Sequence, residues 1–169
     1  GFAKVDIDRL RRRGFPEVIY CPGKTREEIR YIARQIINKN QALLLTKLNR
    51  ETFTYLKKRY CGLKYNQKAG IGYISKVKQA PKKGLVGVVC AGTSDIPVAE
   101  EAVTTLEVMG NKVIRLYDVG VAGIHRLMEN KDILRKANVI VVVAGMEGAL
   151  ASIVSGLVSV AVIAVPTSC

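Results

Sequence analysis

The sequence predicts an α/β protein: a parallel-sheet, three-layer domain preceded by a small basic α/β lobe. Three observations lead there. The run Val86-Gly87-Val88-Val89-Cys90-Ala91 is apolar throughout and gives way to Gly92-Thr93-Ser94-Asp95, the pattern of a strand covered on both faces and followed by a turn. From residue 85 onward, strand-like runs alternate with helical stretches of about 10–15 residues, which implies parallel strands joined by crossovers. Charge divides unevenly: residues 1–84 hold 21 Lys+Arg against 6 Asp+Glu, and residues 85–169 hold 6 against 8. The first part is a basic lobe and the second a near-neutral globular domain.

With 169 residues, 49% of them hydrophobic, the chain can bury one ordinary core and a small extra lobe. No apolar run approaches the roughly 20 residues that span a bilayer, so no membrane partner is expected. No basic stretch leads into an apolar one near residue 1, so no signal peptide is expected. The four cysteines, Cys21, Cys61, Cys90 and Cys169, form no CxxC pair. That spacing argues against a zinc site or a disulfide framework, and a reducing cytoplasm is the expected location. Cys90, inside the apolar run, reads as a small core residue.

In chain order, Arg11-Arg12-Arg13 ends at Gly14, and the run either grips phosphates or lies on a solvated helix. Glu17-Val18-Ile19-Tyr20 reads as a short strand. Pro22-Gly23-Lys24-Thr25 lacks the upstream glycine spacing of a phosphate-binding P-loop. Thr25 and Glu28 instead form a capping box for a helix over 25–39, with Ile29, Ile32, Ala33, Ile36 and Ile37 on one face. Residues 42–46 read as a strand and 50–60 as a second helix, which completes a lobe over residues 1–63. Residues 64–84, rich in lysine and glycine, read as a linker with a hint of strand at 70–74. Tyr65 and Tyr73 among these lysines resemble a base-stacking surface only weakly, and a nucleic-acid partner is not expected.

The domain over 85–169 then runs strand 85–91, helix 96–109, strand 112–117, a loop at 118–126, a helix to about 136, strand 138–144, a turn, helix 148–159 and strand 160–165. Ser94 or Asp95 is placed to cap the first helix, with Pro97 in its first turn. Gly110 closes that helix. The loops at 91–95, 118–126 and 144–150 all follow strands, so they emerge at one edge of the sheet, where open α/β sheets bind ligands. Exposed backbone N–H groups at a helix start favour an anion there. The three loops bring together Ser94, Asp95, Asp118, His125, Arg126 and Glu147. His125 is the only histidine, and an imidazole is the side chain suited to proton transfer at neutral pH. Glu147 is either a site carboxylate or a helix cap. Neither a Gly-x-Ser-x-Gly elbow nor a G-x-G-x-x-G fingerprint is present in these loops, which argues against a serine hydrolase and a standard nicotinamide redox site.

Residues 85–168 resemble the aminoimidazole-ribonucleotide carboxylase superfamily, whose fold is Rossmann-like. The resemblance is carried by Gly92-Thr93-Ser94-Asp95, Ile124-His125-Arg126 and Ala144-Gly145-Met146-Glu147-Gly148-Ala149-Leu150. The longer wording, from Ala91 to Ala102 and from Tyr117 to Arg126, is similar to its LarB branch, which makes a nickel-pincer cofactor. Lys4-Val5-Asp6-Ile7-Asp8-Arg9, Pro16-Glu17-Val18-Ile19-Tyr20 and Gly23-Lys24-Thr25 extend that similarity into the basic lobe.

The resemblance implies an enzyme that carboxylates the pyridinium ring of nicotinic acid adenine dinucleotide with CO2 or bicarbonate. It also implies hydrolysis of the phosphoanhydride to release AMP, leaving pyridinium-3,5-biscarboxylic acid mononucleotide. On that reading Gly92, Thr93 and Ser94 cradle phosphate or ribose, together with Asp118, Gly120 and Arg126. Asp95 binds a ribose hydroxyl or helps to place a metal, and His125 manages protons. Ala144, Gly145, Met146, Glu147, Gly148 and Ala149 seat CO2 or the ring. No tightly bound cofactor is expected, Mg2+ is admitted without a named ligand set, and a homo-octamer is implied. Family sequences continue past the Val-Pro-Thr-Ser strand to a nucleophilic cysteine. The domain is therefore expected to be C-terminally incomplete, with Cys169 not that nucleophile. Two rival readings stay open. One is an aminoimidazole-ribonucleotide carboxylase or mutase, which would have a shorter turn before its histidine and no basic lobe. The other is a non-catalytic nucleic-acid-binding protein, with a steep salt dependence and no need of His125.

Overall fold

The computed structural model describes residues 3–75 and 84–168, which divide into two compact units, Gly1–Ala80 and Pro81–Cys169. In the first unit, α1 (Arg9–Arg13) is a single exposed turn closed by Gly14 at φ +76°. Arg11 and Arg12 pair with Asp8, and Arg12 also with Asp6, so this run is a solvated, internally paired turn. The capping box at Thr25 and Glu28 starts α2 (Arg26–Asn38), which lies between the parallel strands β1 (Val18–Tyr20) and β2 (Leu43–Thr46). The helix α3 (Arg50–Lys57) follows, capped by the Asn49 side chain. Ile29, Ile36, Leu43, Leu45, Leu48, Leu56 and Leu63 fill the core between these elements.

The expected linker is corrected over its first half. Residues 64–74 form β3 (Lys64–Asn66) and β4 (Ile71–Ile74), an antiparallel pair whose β4 adds to β2, giving the order β1-β2-β4-β3. These strands are short and carry lysine, asparagine and glycine, so no alternating pattern marks them. Gly72 is there for space, since a Cβ would lie 2.5 Å from Leu48 Cδ2. Tyr65 is no stacking platform: its ring packs on Phe53 at 4.7 Å and its hydroxyl donates to the Leu48 carbonyl. The remainder of the expected linker, residues 76–83, lies outside the described residues, as does Cys169.

The second unit is a parallel sheet in the order β6-β5-β7-β8, formed by β5 (Leu85–Cys90), β6 (Lys112–Leu116), β7 (Val139–Ala144) and β8 (Ala161–Pro166). β5 is central, and Val88, Val89 and Cys90 are fully buried. Successive residues of the strand enter different cores. Val88 and Cys90 pack with Ala99 and Val103 of α4 (Ile96–Val108). Val89 packs with Leu127 of α5 (Ile124–Glu129), Leu134 of α6 (Lys131–Leu134), and Leu150 and Val154 of α7 (Ala149–Leu157). Helices thus cover both faces, and the fold is the three-layer α/β arrangement.

Two local expectations are corrected. The helix expected up to residue 136 is interrupted at Asn130, whose side chain donates to the Arg126 carbonyl and whose own N–H turns back to Leu127. Neither Ser94 nor Asp95 caps α4 through its side chain. A single 3-10 turn, Thr93–Asp95, precedes that helix, and the Asp95 carboxylate reaches back to the Gly92 N–H. Among the described residues no helix is long and apolar enough to cross a membrane.

If 64–74 belongs to the first unit's sheet, its fully buried Ile71 supports that core. Ile71→Ala is expected to cost about 2–5 kcal/mol in chemical denaturation. A linker residue would cost almost nothing.

Candidate active site

The carboxyl ends of β5, β6 and β7 surround a cavity of about 310 Å³. Its wall takes Gly92, Ser94 and Asp95 from the first loop, Asp118, Gly120, Val121 and Arg126 from the second, and Ala144, Gly145, Met146, Glu147 and Ala149 from the third. The topology forces this meeting, because neighbouring parallel strands point their carboxyl ends the same way. Helices α4 and α7 begin at this edge and turn backbone N–H groups toward it.

The loops are fastened to one another through the backbone. The Val119 N–H donates to the Cys90 carbonyl at 3.2 Å and the Gly120 N–H to the Ala91 carbonyl at 2.8 Å. The Ala91 N–H donates in turn to the Val143 carbonyl at 3.0 Å. At Gly120 the approach is so close that a Cβ would lie 2.8 Å from the Ala91 oxygen. Asp118, just before this contact, holds a left-handed φ of +57°, and Met146 one of +50°. Non-glycine residues adopt that region at a cost, and such residues gather at binding sites.

Among the described residues Arg126 is the one cation on the cavity wall. Its Nη1 donates to Asp118 Oδ2 at 2.5 Å, a charge-assisted bond, and its Nε leans on the Gly123 carbonyl at 3.4 Å. Gly123 admits this posture, since a Cβ there would sit 2.7 Å from the Arg126 Nε. The fork is thereby oriented before any ligand arrives, with further N–H groups to offer an oxyanion. Asp95 is 3% exposed. Its Oδ2 accepts the Gly92 N–H at 2.8 Å and its Oδ1 accepts the Thr167 hydroxyl at 2.7 Å. Glu147 is exposed, makes no cap for α7 and, among the described residues, has no hydrogen-bond partner.

Three expected site residues are not on the wall. Thr93 is exposed and outside the lining, and Gly148 serves as the N-cap of α7 at φ +69°. His125 is exposed in the first turn of α5 and outside the lining. The helix begins at Ile124, so His125 and Arg126 diverge by about 100° around its axis and only Arg126 turns to the cavity. Thr167 was missed in the sequence, where a threonine after a final strand carries no mark. Cys90 is buried, and burial pushes its thiol above the usual range. Among the described residues no cysteine lines the cavity and no three His, Cys, Asp or Glu side chains gather to hold a metal ion.

Comparison with known proteins adds two matches that together cover most of the chain. Residues 1–76 match a family model described as a LarB/PurE-like N-terminal domain, and residues 85–169 match one described as AIR carboxylase. The chain is also similar to an uncharacterized protein of Methanocaldococcus jannaschii, at 46% identity over 174 residues, covering 98% of this chain and 68% of the relative.

The Gly120 contact gives a direct check of the cavity. Gly120→Ala is expected to lower stability by about 1–3 kcal/mol in thermal denaturation, because a backbone oxygen rather than a side-chain tip must move.

Proposed function

Starting from the fact that the chain belongs to the LarB family of the AIR carboxylase superfamily, we propose that its cavity carboxylates the pyridinium ring of nicotinic acid adenine dinucleotide. In this proposal CO2, or bicarbonate as its source, forms a new C–C bond at the ring carbon meta to the existing carboxylate's carbon, and that carbon loses its proton. Water cleaves the phosphoanhydride, so that AMP leaves and pyridinium-3,5-biscarboxylic acid mononucleotide remains. The observation that carries the reading is the chemistry of the wall. Among the described residues one guanidinium, held in place by Asp118, faces a cavity whose other ionisable side chains are the carboxylic groups of Asp95, Asp118 and Glu147. A ligand with a cationic ring and anionic substituents answers both kinds of group.

The roles follow from what each group has left to offer. Ser94, at the turn before α4, receives a phosphate or ribose oxygen, while Gly92 lines the same turn with its N–H given to Asp95. Arg126 receives a carboxylate or phosphate. Gly145 and Ala149 leave room for a flat ring and a small linear co-substrate, since neither carries a side chain beyond Cβ. Glu147, the wall carboxylate without an internal partner, is placed to accept the ring proton. His125, outside the wall in the first turn of α5, manages protons from the rim. A pyridinium carbon becomes nucleophilic only after an electron-rich group adds to the ring, and a thiolate is a suitable group. Among the described residues no wall cysteine supplies it.

The deciding experiment incubates the protein with nicotinic acid adenine dinucleotide, Mg2+ and 13C-bicarbonate and follows products by mass spectrometry. AMP together with a singly labelled dicarboxylated mononucleotide is the expected result. Aminoimidazole ribonucleotide, run in parallel because residues 85–169 match the AIR carboxylase model, is expected to remain unchanged. Carboxylation of that compound instead would replace the reading. Arg126→Ala is expected to weaken dinucleotide binding about 10–100-fold, the value of hydrogen bonds to a charged group. His125→Ala, measured beside it, is expected to bind as the parent protein does.

A further inference from the structure

Asp95 is the most enclosed ionisable group of the cavity, and a buried carboxylate is costly unless its oxygens are satisfied. One oxygen closes the Gly92 turn. The other accepts the Thr167 hydroxyl at 2.7 Å from a residue 72 positions away, just past β8. The same residue's backbone N–H donates to the Ala144 carbonyl at 3.0 Å, at the carboxyl end of β7. Thr167 therefore joins two of the three loops that form the cavity, although it is not itself on the wall.

From this geometry we infer that Thr167 is a positioning residue of the site: its hydroxyl sets the Asp95 carboxylate, which holds the Gly92 N–H and so shapes the turn that presents Ser94 to the ligand. The inference rests on the cavity being the substrate site proposed above. Its physical content lies in the hydroxyl rather than in the backbone. A β-branched isostere without the oxygen keeps the N–H bond to Ala144 and the side-chain shape, but leaves Asp95 Oδ1 without this donor. The carboxylate then rotates toward another donor, and its other oxygen leaves the Gly92 N–H. The turn loses its shape before any ligand is present.

The test compares Thr167→Val and Thr167→Ser in the full chain with two readouts. The first is hydrogen exchange and chemical shift of the Gly92 amide in the ligand-free protein. The second is the Kd for nicotinic acid adenine dinucleotide. Thr167→Val is expected to speed Gly92 exchange and to raise Kd about tenfold, near the value of one hydrogen bond to a charged group. Thr167→Ser is expected to restore both to within about twofold, because the donor returns. Equal behaviour of the two variants, or a Val variant that matches the parent in either readout, overturns the inference. Should the parent protein bind no dinucleotide, the proposed substrate fails. The Gly92 amide then decides the positioning role alone, upheld by faster exchange in the valine variant only and overturned by equal exchange.

Discussion

The hydrogen bond from the Gly120 N–H to the Ala91 carbonyl is the constraint on which the site depends. A parallel sheet brings strand ends to one edge, but it leaves the loops beyond them free to diverge. Here the chain leaving β6 is laid directly on the chain leaving β5, too closely for any Cβ between them. That contact sets the start of the second loop. The left-handed turn at Asp118 and the return of Arg126 onto Asp118 are built from there. The cation of the cavity is thus held by a carboxylate whose own position the backbone sets.

Thr167 does for the other side of the cavity what Gly120 does for this one. Its two bonds join the end of β7 to the turn after β5, so all three loops are cross-linked by contacts between residues distant in sequence. Satisfying Asp95 in this way removes an unpaired buried charge from a site that must stay open to a ligand. The Asp95 carboxylate, accepting from Gly92 on one oxygen and from Thr167 on the other, also shapes the turn after β5.

Much of this was legible in the sequence, and the reasons are particular. β5 and its turn were readable because an apolar run ending in Gly-Thr-Ser-Asp has few other uses in a chain of this composition. The capping box at Thr25 and Glu28 gave the start of α2 to the residue, because both partners are local. What escaped depends on long-range contact. β3 and β4 are strands because β2 offers an edge to pair with, not because Lys64–Asn66 has strand character. His125 and Arg126 are neighbours in the sequence, but helical rotation separates them. The hydroxyl of Thr167 finds Asp95 only once β8 has taken its place beside β7. Local chemistry could be read; partnership across the sheet could not.

The contrast between fastened and unfastened positions has an evolutionary consequence. Met146 is 90% exposed and Val121 lies at the cavity mouth with 36% of its surface open, and neither is among the backbone ties that hold the loops. Val121 can be exchanged with little effect on the frame, Met146 by residues that tolerate its left-handed backbone, and both touch whatever enters the cavity. Gly120 has no such freedom, since every other amino acid would displace the Ala91 carbonyl. A lineage built on this frame would diversify its substrates by changing the rim while the floor stays fixed. New specificities would then cost few mutations and little stability.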